Sequence, residues 1–491
     1  MGSVIIALDL GTTGNRAIAF SKDGRIQASS YYEFPQIFPE PAWVEHNPMD
    51  IWDTTLKALN DVIHKVGIQN VTAIGIANQR ETTILWNKKT GKPVYNAIVW
   101  QDRRTADTCI TLQNHSERIK QKTGLHLDAY FSATKIKWLL DHVEDLSSEI
   151  DKGNILFGTV DTWILWKLTG VHATEPSNAS RTLLFNIHTL EYDPDLLKLF
   201  DIPRSILPEI KESCGEFGIT DPKYTQKEIP ITGILGDQQA ALFAQGGWEK
   251  GVIKNTYGTG LFLMAATQNQ IPDTGQLINT VGWTINGQTT YAVEGSVFIG
   301  GSVIQWLRDQ MGIIKDASES EKYATSIEDN EGVYFVPALQ GLGAPYWDSQ
   351  ARGIIIGLTR HTQKAHIVRA ALEAICYQTK DVVDTLGHIL PEMTLSQLRV
   401  DGGASQNQFL MQFQADILGV PVERPTVIET TAFGAAGIAG IGVGLWHQDT
   451  FLKSRQIDHT FAPNMSDKKR VDLYQKWTDA VNRSKGWESV S

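Results

Sequence analysis

The sequence predicts an α/β protein of two domains, each built on a mixed sheet flanked by helices. Three observations carry that expectation. The chain has 491 residues, and a single hydrophobic core stops growing beyond about 250 to 300 residues. Apolar strand-like runs alternate with helix-like segments through both halves. A hairpin with a glycine- and threonine-rich turn opens the chain and a similar one opens its second half, which suggests a duplicated architecture. The halves divide into domains 1–246 and 247–491.

Taken in order, Val4 to Leu10 reads as a strand, Gly11-Thr12-Thr13-Gly14 as a tight turn, and Arg16 to Phe20 as the returning strand. Asp23-Gly24 marks the next turn and Ile26 to Tyr32 a third strand. The proline-rich segment 34–48 is a loop by composition, Pro48 to Val66 a helix, and Val71 to Ala77 and Asn96 to Trp100 short strands. Ile231 to Leu235 is an apolar run leading into Gly236-Asp237-Gln238-Gln239 and the helix-like Ala240 to Gln245. Val252 to Thr256, the turn Tyr257-Gly258-Thr259-Gly260 and Leu261 to Ala266 repeat the opening hairpin. Leu398 to Val400 is a strand entering Asp401-Gly402-Gly403, and Gln406 to Leu418 the helix after it. The most apolar window, Ala432 to Trp446, is shorter than the ~20 residues of a membrane span. It reads as a buried helix capped by Thr430 or Thr431.

The formal net charge of -11 argues against a nucleic-acid partner, because such proteins cluster Lys and Arg against phosphates. An anionic ligand must then be held locally, by backbone amides, a few basic side chains and a metal ion. Cys109, Cys214 and Cys376 are far apart, with neither a CxxC nor metal-ligand spacing, and read as reduced thiols. The first apolar stretch, Val4 to Leu8, is cut by Asp9 and has no basic flank, so a cytoplasmic protein without a secretory signal or membrane insertion is expected.

Four polar segments carry candidate chemistry. In Asp9-Leu10-Gly11-Thr12-Thr13-Gly14-Asn15-Arg16, glycines let amides approach phosphate oxygens, the hydroxyls donate to them, the carboxylate can hold Mg²⁺ or its waters, and Arg16 adds fixed positive charge. A plain hairpin turn capped by Thr would use the same residues. Asp237 lies between a strand end and a helix start, where a general base or metal ligand is found, but also where Asp serves as an N-cap. Arg80 and Glu81, in Asn78-Gln79-Arg80-Glu81-Thr82-Thr83, could bind a polyol's hydroxyls or form an exposed ion pair. The glycines of Asp401-Gly402-Gly403 could admit a planar base or simply make a turn. Gly91-Lys92 is followed by Pro93, so there is no P-loop, and no GxGxxG opens a helix.

With these segments in view the chain resembles the FGGY family of carbohydrate kinases, and within it the members that act on glycerol. The likeness is collinear from about Val4 to beyond Trp446, and its most specific stretches include GIANQRETTILW (75–86), NASRTLLFNIHTL (178–190), GDQQAALFAQ (236–245), NTYGTG (255–260) and VDGGASQNQFLMQFQADILG (400–419). The resemblance implies two actin-like, ribonuclease H-like domains with the active site in the cleft between them. It implies ATP-dependent phosphorylation of glycerol with Mg²⁺, Asp237 as general base and second metal contact, and Asp9 holding the metal through water. Arg80, Glu81, Trp100, Tyr130, Asp237, Gln238 and Phe262 match glycerol contacts. Thr12, Thr13, Gly14 and Arg16 match the first phosphate loop and Thr259 and Gly260 the second. Gly301 and Gln305 match positions near ribose and base, and Gly403 and Asn407 the adenosine turn. A homodimer or homotetramer is the family expectation.

Two departures stand out. Gly14 and Asn15 occupy positions where such kinases often carry Ser-Ser, so backbone amides would have to replace a hydroxyl. The segment TDPKYTQKE (220–228) shows neither the glycine-rich loop that binds fructose 1,6-bisphosphate nor the phosphorylatable histidine of some family members. The rivals are a family member acting on a pentose, hexonate or tetritol, and a non-catalytic actin-like ATPase module.

Overall fold

The computed structural model of the chain describes residues 2–249, 251–391 and 395–488. Two large mixed sheets form within it, and each repeats the plan of the other. The first has the strand order Cys214–Ile219, Pro230–Gly236, Val71–Asn78, Val4–Leu10, Gly14–Ser21, Ile26–Glu33. The opening meander pairs antiparallel, Val4–Leu10 and Pro230–Gly236 flank Val71–Asn78 in parallel, and Cys214–Ile219 closes the far edge antiparallel. The second runs Ile278–Ile285, Gln288–Val297, Leu261–Gln268, Val252–Tyr257, Gln397–Asp401, Val422–Pro425, Ile457–Phe461. Again a meander lies beside parallel strands and an antiparallel strand closes the edge. The duplication suggested by two short hairpins therefore extends across both sheets.

Local sequence explains these elements. Val4–Leu10 is buried at every position except partly exposed Asp9, as expected of a strand covered on both faces. In the helix Pro48–Val66, Asn47 accepts from the Met49 amide at 3.0 Å, and Ile51, Trp52, Leu59, Val62 and Ile63 line the face turned to the first sheet. The helix after Asp401 begins at Gln408 rather than Gln406, because Asn407 takes the cap position and the Gly403–Gln406 segment closes as a 3₁₀ turn. Within the expected strand 96–100 only Ala97–Ile98 pairs, with Glu45–His46.

The helix Thr430–Gly442 lies in the second half of the sequence but packs on the first sheet, across the strands Val71–Asn78 and Pro230–Gly236. Its small residues permit close backbone contact. A Cβ at Gly434 would stand 1.9 Å from the Ala240 carbonyl oxygen of the neighbouring helix Asp237–Ala244, and a Cβ at Gly75 would stand 2.0 Å from that of Ala435. The expected threonine cap is not made. The helix begins at Thr430, so both threonines lie inside its first turn, and Glu429 occupies the cap position without a side-chain capping bond. Gly434→Ala is expected to cost ~1–3 kcal/mol through overpacking, read as a lowered thermal midpoint. An unchanged midpoint would show that these two helices separate freely.

Among the described residues no helix is long and apolar enough to cross a membrane.

Candidate active site

The polar segments meet where the parallel strands of the two sheets end, the edge at which open α/β sheets bind ligands. In the first sheet Leu10, Asn78 and Gly236 share one register, so Gly11, Gln79 and Asp237 emerge side by side. The Gln79 amide donates to the Leu10 carbonyl at 2.7 Å, and its side chain donates to the Gly11 carbonyl at 2.9 Å, fixing the first turn against the Arg80 segment. In the second sheet Thr256 pairs with Asp401, which places the 257–260 turn beside Gly402 and Gly403.

Arg80 and Glu81 are not a surface pair: both are buried. Arg80 Nη1 and Nη2 donate to Glu294 at 2.5 and 3.1 Å, Nη1 also to Gln239 at 3.1 Å, and Nε lies 3.1 Å from Asp237 Oδ1. Glu81 accepts from Arg181 Nε at 2.5 Å, and Arg181 Nη2 reaches Glu294 at 3.3 Å. Two guanidiniums and two carboxylates thus form one buried, hydrogen-bonded group. Burial alone would raise the Glu294 carboxyl, but Arg181 and Arg80, together with the Ser296 hydroxyl, outweigh it and hold it down to about 2. Glu81 shifts the other way, because burial outweighs its fewer contacts. Arg181 and Glu294 were not singled out from the sequence as site residues. The available signal for Glu294 was a lone carboxylate in a strand whose last seven residues are buried.

Asp237 is the first residue of its helix, with Gly236 in the cap position, so it is not the N-cap. Its Oδ1 takes the Arg80 contact and the Gln238 amide at 2.7 Å. No described residue donates to Oδ2. Gln238 is held from the second half: Lys254 Nζ donates to its Oε1 at 2.5 Å, to Thr256 Oγ1 at 2.7 Å and to the Phe262 carbonyl at 3.1 Å. Burial lowers Lys254 to about 8 against the opposing pull of Asp401, Glu294 and Asp237.

Three aromatic rings gather beside these groups. Trp100 meets Tyr130 edge to face at 5.7 Å between centroids and Phe262 at 6.3 Å, so rings from both halves form one cluster. The Trp100 indole N–H donates to Thr12 Oγ1 at 3.0 Å, tying this wall to the first turn. Thr12 then keeps its own hydroxyl proton for another acceptor.

Asp9 is pushed up to about 7 by burial first, then by the charges of Glu429 and Asp237, with Arg16 opposing. Arg16 pairs with Glu429 from the second half, and Thr431 Oγ1 contacts the Asp237 carbonyl at 3.4 Å. Gly14 is required where it stands: a Cβ there would lie 2.6 Å from the Tyr32 carbonyl oxygen and 2.7 Å from the Tyr31 hydroxyl. The Asn15 side chain is buried, donating to the Ile51 carbonyl and Thr54 Oγ1 at 2.9 Å, so it braces the Pro48–Val66 helix instead of facing the turn. Thr13 carries the remaining free-facing hydroxyl of the turn and reaches only the Tyr31 hydroxyl at 3.4 Å.

Across the cleft, the Gly300 amide donates to the Thr259 carbonyl and the Gly301 amide to the Gly258 carbonyl, both at 2.8 Å. This knot brings Thr259, Gly260 and Gly301 together, with exposed Gln305 one turn along the helix Ser302–Asp309. A Cβ at Gly301 would lie 2.8 Å from the Gly258 carbonyl oxygen, while a Cβ at Gly403 would meet nothing within 4 Å, so open space remains beside Gly403. Asn407 accepts from the Leu410 amide at 2.9 Å, a capping role, and its Nδ2 lies 3.4 Å from Ser320 Oγ.

Known proteins resemble this chain over nearly its whole length. The N-terminal domain of the FGGY family of carbohydrate kinases matches residues 4–244, and the C-terminal domain of that family matches residues 253–443. A glycerol kinase of Aquifex aeolicus is 56% identical, with 99% of this chain and 100% of the relative covered. Glycerol kinase 2 of Thermotoga maritima is 53% identical, with 99% of each covered. Among solved structures, Plasmodium falciparum glycerol kinase with ADP superposes at a TM-score of 0.91, with 38% identity and 99% of each chain covered. A xylulose kinase of Lactobacillus acidophilus, at 22% identity, shares the fold with a TM-score of 0.86 over 98% of this chain and 97% of its own.

Proposed function

The chain belongs to the FGGY family of carbohydrate kinases, and from that premise we propose that it transfers the γ-phosphoryl group of ATP to a terminal hydroxyl of glycerol, giving sn-glycerol 3-phosphate and ADP. The observation that carries this reading is the clustering of Trp100 with Tyr130 and Phe262, and of Arg80 with Asp237, the two groups being joined by Lys254, which binds both Gln238 and the Phe262 carbonyl. Three hydroxyls on three carbons call for several fixed donors and acceptors, and the CH₂ edges for apolar faces.

The transfer is direct and in line. The glycerol oxygen forms a bond to the γ-phosphorus as the bond to the β–γ bridging oxygen breaks, ADP leaves, and the hydroxyl proton passes to Asp237 Oδ2. Oδ1, held by Arg80 and the Gln238 amide, fixes the carboxylate's direction. Amides of the two glycine turns and the hydroxyls of Thr12, Thr13 and Thr259 receive the phosphates, and the space beside Gly403 receives the base. Glu81 and Arg80 hold the glycerol hydroxyls.

The donor set fits a divalent cation carried by the nucleotide. Asp9 feels the charges of Asp237 and Glu429, whose arginine partners are Arg80 and Arg16, and no group of three or more ligating side chains is arranged to hold a metal by itself among the described residues. A cation such as Mg²⁺, which keeps several waters and takes one or two carboxylates beside phosphate oxygens, would meet Asp9 through water and Asp237, and supplies positive charge against the phosphates. Three unpaired cysteines, two of them buried, support a reducing cytoplasmic setting.

The test is ADP release from MgATP with glycerol, erythritol, xylulose, gluconate or no acceptor. Strong stimulation by glycerol alone is expected. Stimulation by a different polyol moves the substrate within the family, and the absence of acceptor-stimulated turnover in folded protein overturns the reading.

A further inference from the structure

We infer that Lys254 is a positioning residue for the acceptor pocket, fixing the direction in which the Gln238 carboxamide faces the substrate. The inference rests on the glycerol reading above and assigns a role to a side chain outside the contacts already proposed.

An ammonium has three donors and no acceptor. All three are used within the protein, on Gln238 Oε1, Thr256 Oγ1 and the Phe262 carbonyl, and the residue is fully buried. Lys254 therefore has no donor left for a substrate and acts through its neighbours. A carboxamide can present either its oxygen or its NH₂ by rotating about its last bond. A donor-only partner on the oxygen removes that choice, so the Gln238 Nε2 group is the one turned to the cleft. No described residue accepts from Nε2. Gln238 is thus set as a donor, matched to the lone pairs of an acceptor hydroxyl, while Asp237 beside it is the proton acceptor. Adjacent residues are given opposite hydrogen-bonding senses, and a hydroxyl can meet both at once.

The same side chain joins three parts of the site. Gln238 is on the helix that follows the first sheet, Phe262 supplies one aromatic wall, and Thr256 lies one residue from the end of the strand that enters the 257–260 phosphate turn. Its loss releases the amide and loosens the wall together, while the nucleotide side keeps its own glycine knot.

The experiment is a double-mutant cycle on glycerol turnover, using Lys254→Met, Gln238→Ala and the double variant in the full-length protein. Each single change is expected to raise KM for glycerol by about tenfold, as for one lost substrate hydrogen bond of ~1–1.5 kcal/mol, with KM for ATP nearly unchanged. The double variant is expected to match the worse single variant, because Lys254 acts through Gln238. Effects on KM for glycerol that multiply would overturn the proposal, as would a Lys254→Met variant whose KM for glycerol is that of the parent. Should Lys254→Met fail to fold, as judged by its thermal midpoint, Gln238→Glu gives a second test. A carboxylate has no N–H to direct at the hydroxyl, so KM for glycerol is expected to rise while the Lys254 contact strengthens and the midpoint holds or increases. An unchanged KM there overturns the proposal. If the parent does not turn over with glycerol at all, the substrate reading fails first, and the two failures are distinguished.

Discussion

Asp237→Asn lowers kcat by about 10²- to 10⁴-fold, the usual worth of a positioned general base, while glycerol binding stays near that of the parent. The split follows from which oxygen does what. Oδ1 accepts from Arg80 Nε and from the Gln238 amide, and an asparagine can keep both bonds through its own carbonyl oxygen. No described residue donates to Oδ2, and it is the atom that must take the proton. In the variant it becomes an NH₂, unable to accept. Steady-state kinetics at saturating MgATP, with glycerol binding measured separately by calorimetry, read both quantities. A kcat near the parent's would remove Asp237 from the proton-accepting role and leave it an Arg80 partner only.

Glu294→Ala is expected to destabilise the fold by about 3–5 kcal/mol, the cost of leaving buried charge without its partner. Two guanidiniums, Arg80 and Arg181, converge on this carboxylate, and all three side chains are almost wholly buried. Its contribution has a defined pH window. The folded value is held near 2, against 4.5 for the free group, so the stabilisation is fully present above the unfolded value and is lost as pH falls through the folded one. The gap between parent and variant in thermal midpoint should be wide at neutral pH and narrow towards pH 3. A gap that is small at pH 7, or that does not narrow in acid, would show that Arg80 and Arg181 find solvent or another acceptor instead.

The contrast between these two residues shows what could be read along the chain. Asp237 stands at a strand end before a helix, a position visible in one dimension. The two hairpins, the helix Pro48–Val66 and the strands at Val71–Asn78, Pro230–Gly236 and Gln397–Asp401 were legible for the same reason: periodicity and turn chemistry are local. Glu294 acquires its meaning only when the strand Gln288–Val297 is laid beside Arg80 and Arg181, which lie far from it in sequence. The place of the Asn15 side chain was hidden in the same way. Its neighbours in the chain form a phosphate-type turn, but strand alternation turns its side chain under the sheet to the Pro48–Val66 helix. The burial of Arg80 and Glu81 was equally hidden, because an adjacent charged pair reads as surface unless tertiary partners are known. The threonine cap failed for a simpler reason, a helix that starts earlier than its apolar run.

The placement of the Thr430–Gly442 helix has a consequence for any attempt to divide the protein. It is encoded after every strand of the first sheet and before the last strand of the second, Ile457–Phe461, yet it covers the strands Val71–Asn78 and Pro230–Gly236. A fragment ending at residue 246 would be synthesised with that face bare, and the complementary fragment would carry the missing cover on an otherwise unsupported helix. The two pieces would each be poorly soluble alone and would reassemble when co-expressed. During synthesis, likewise, this face of the first sheet gains its cover only after residue 442 has been made.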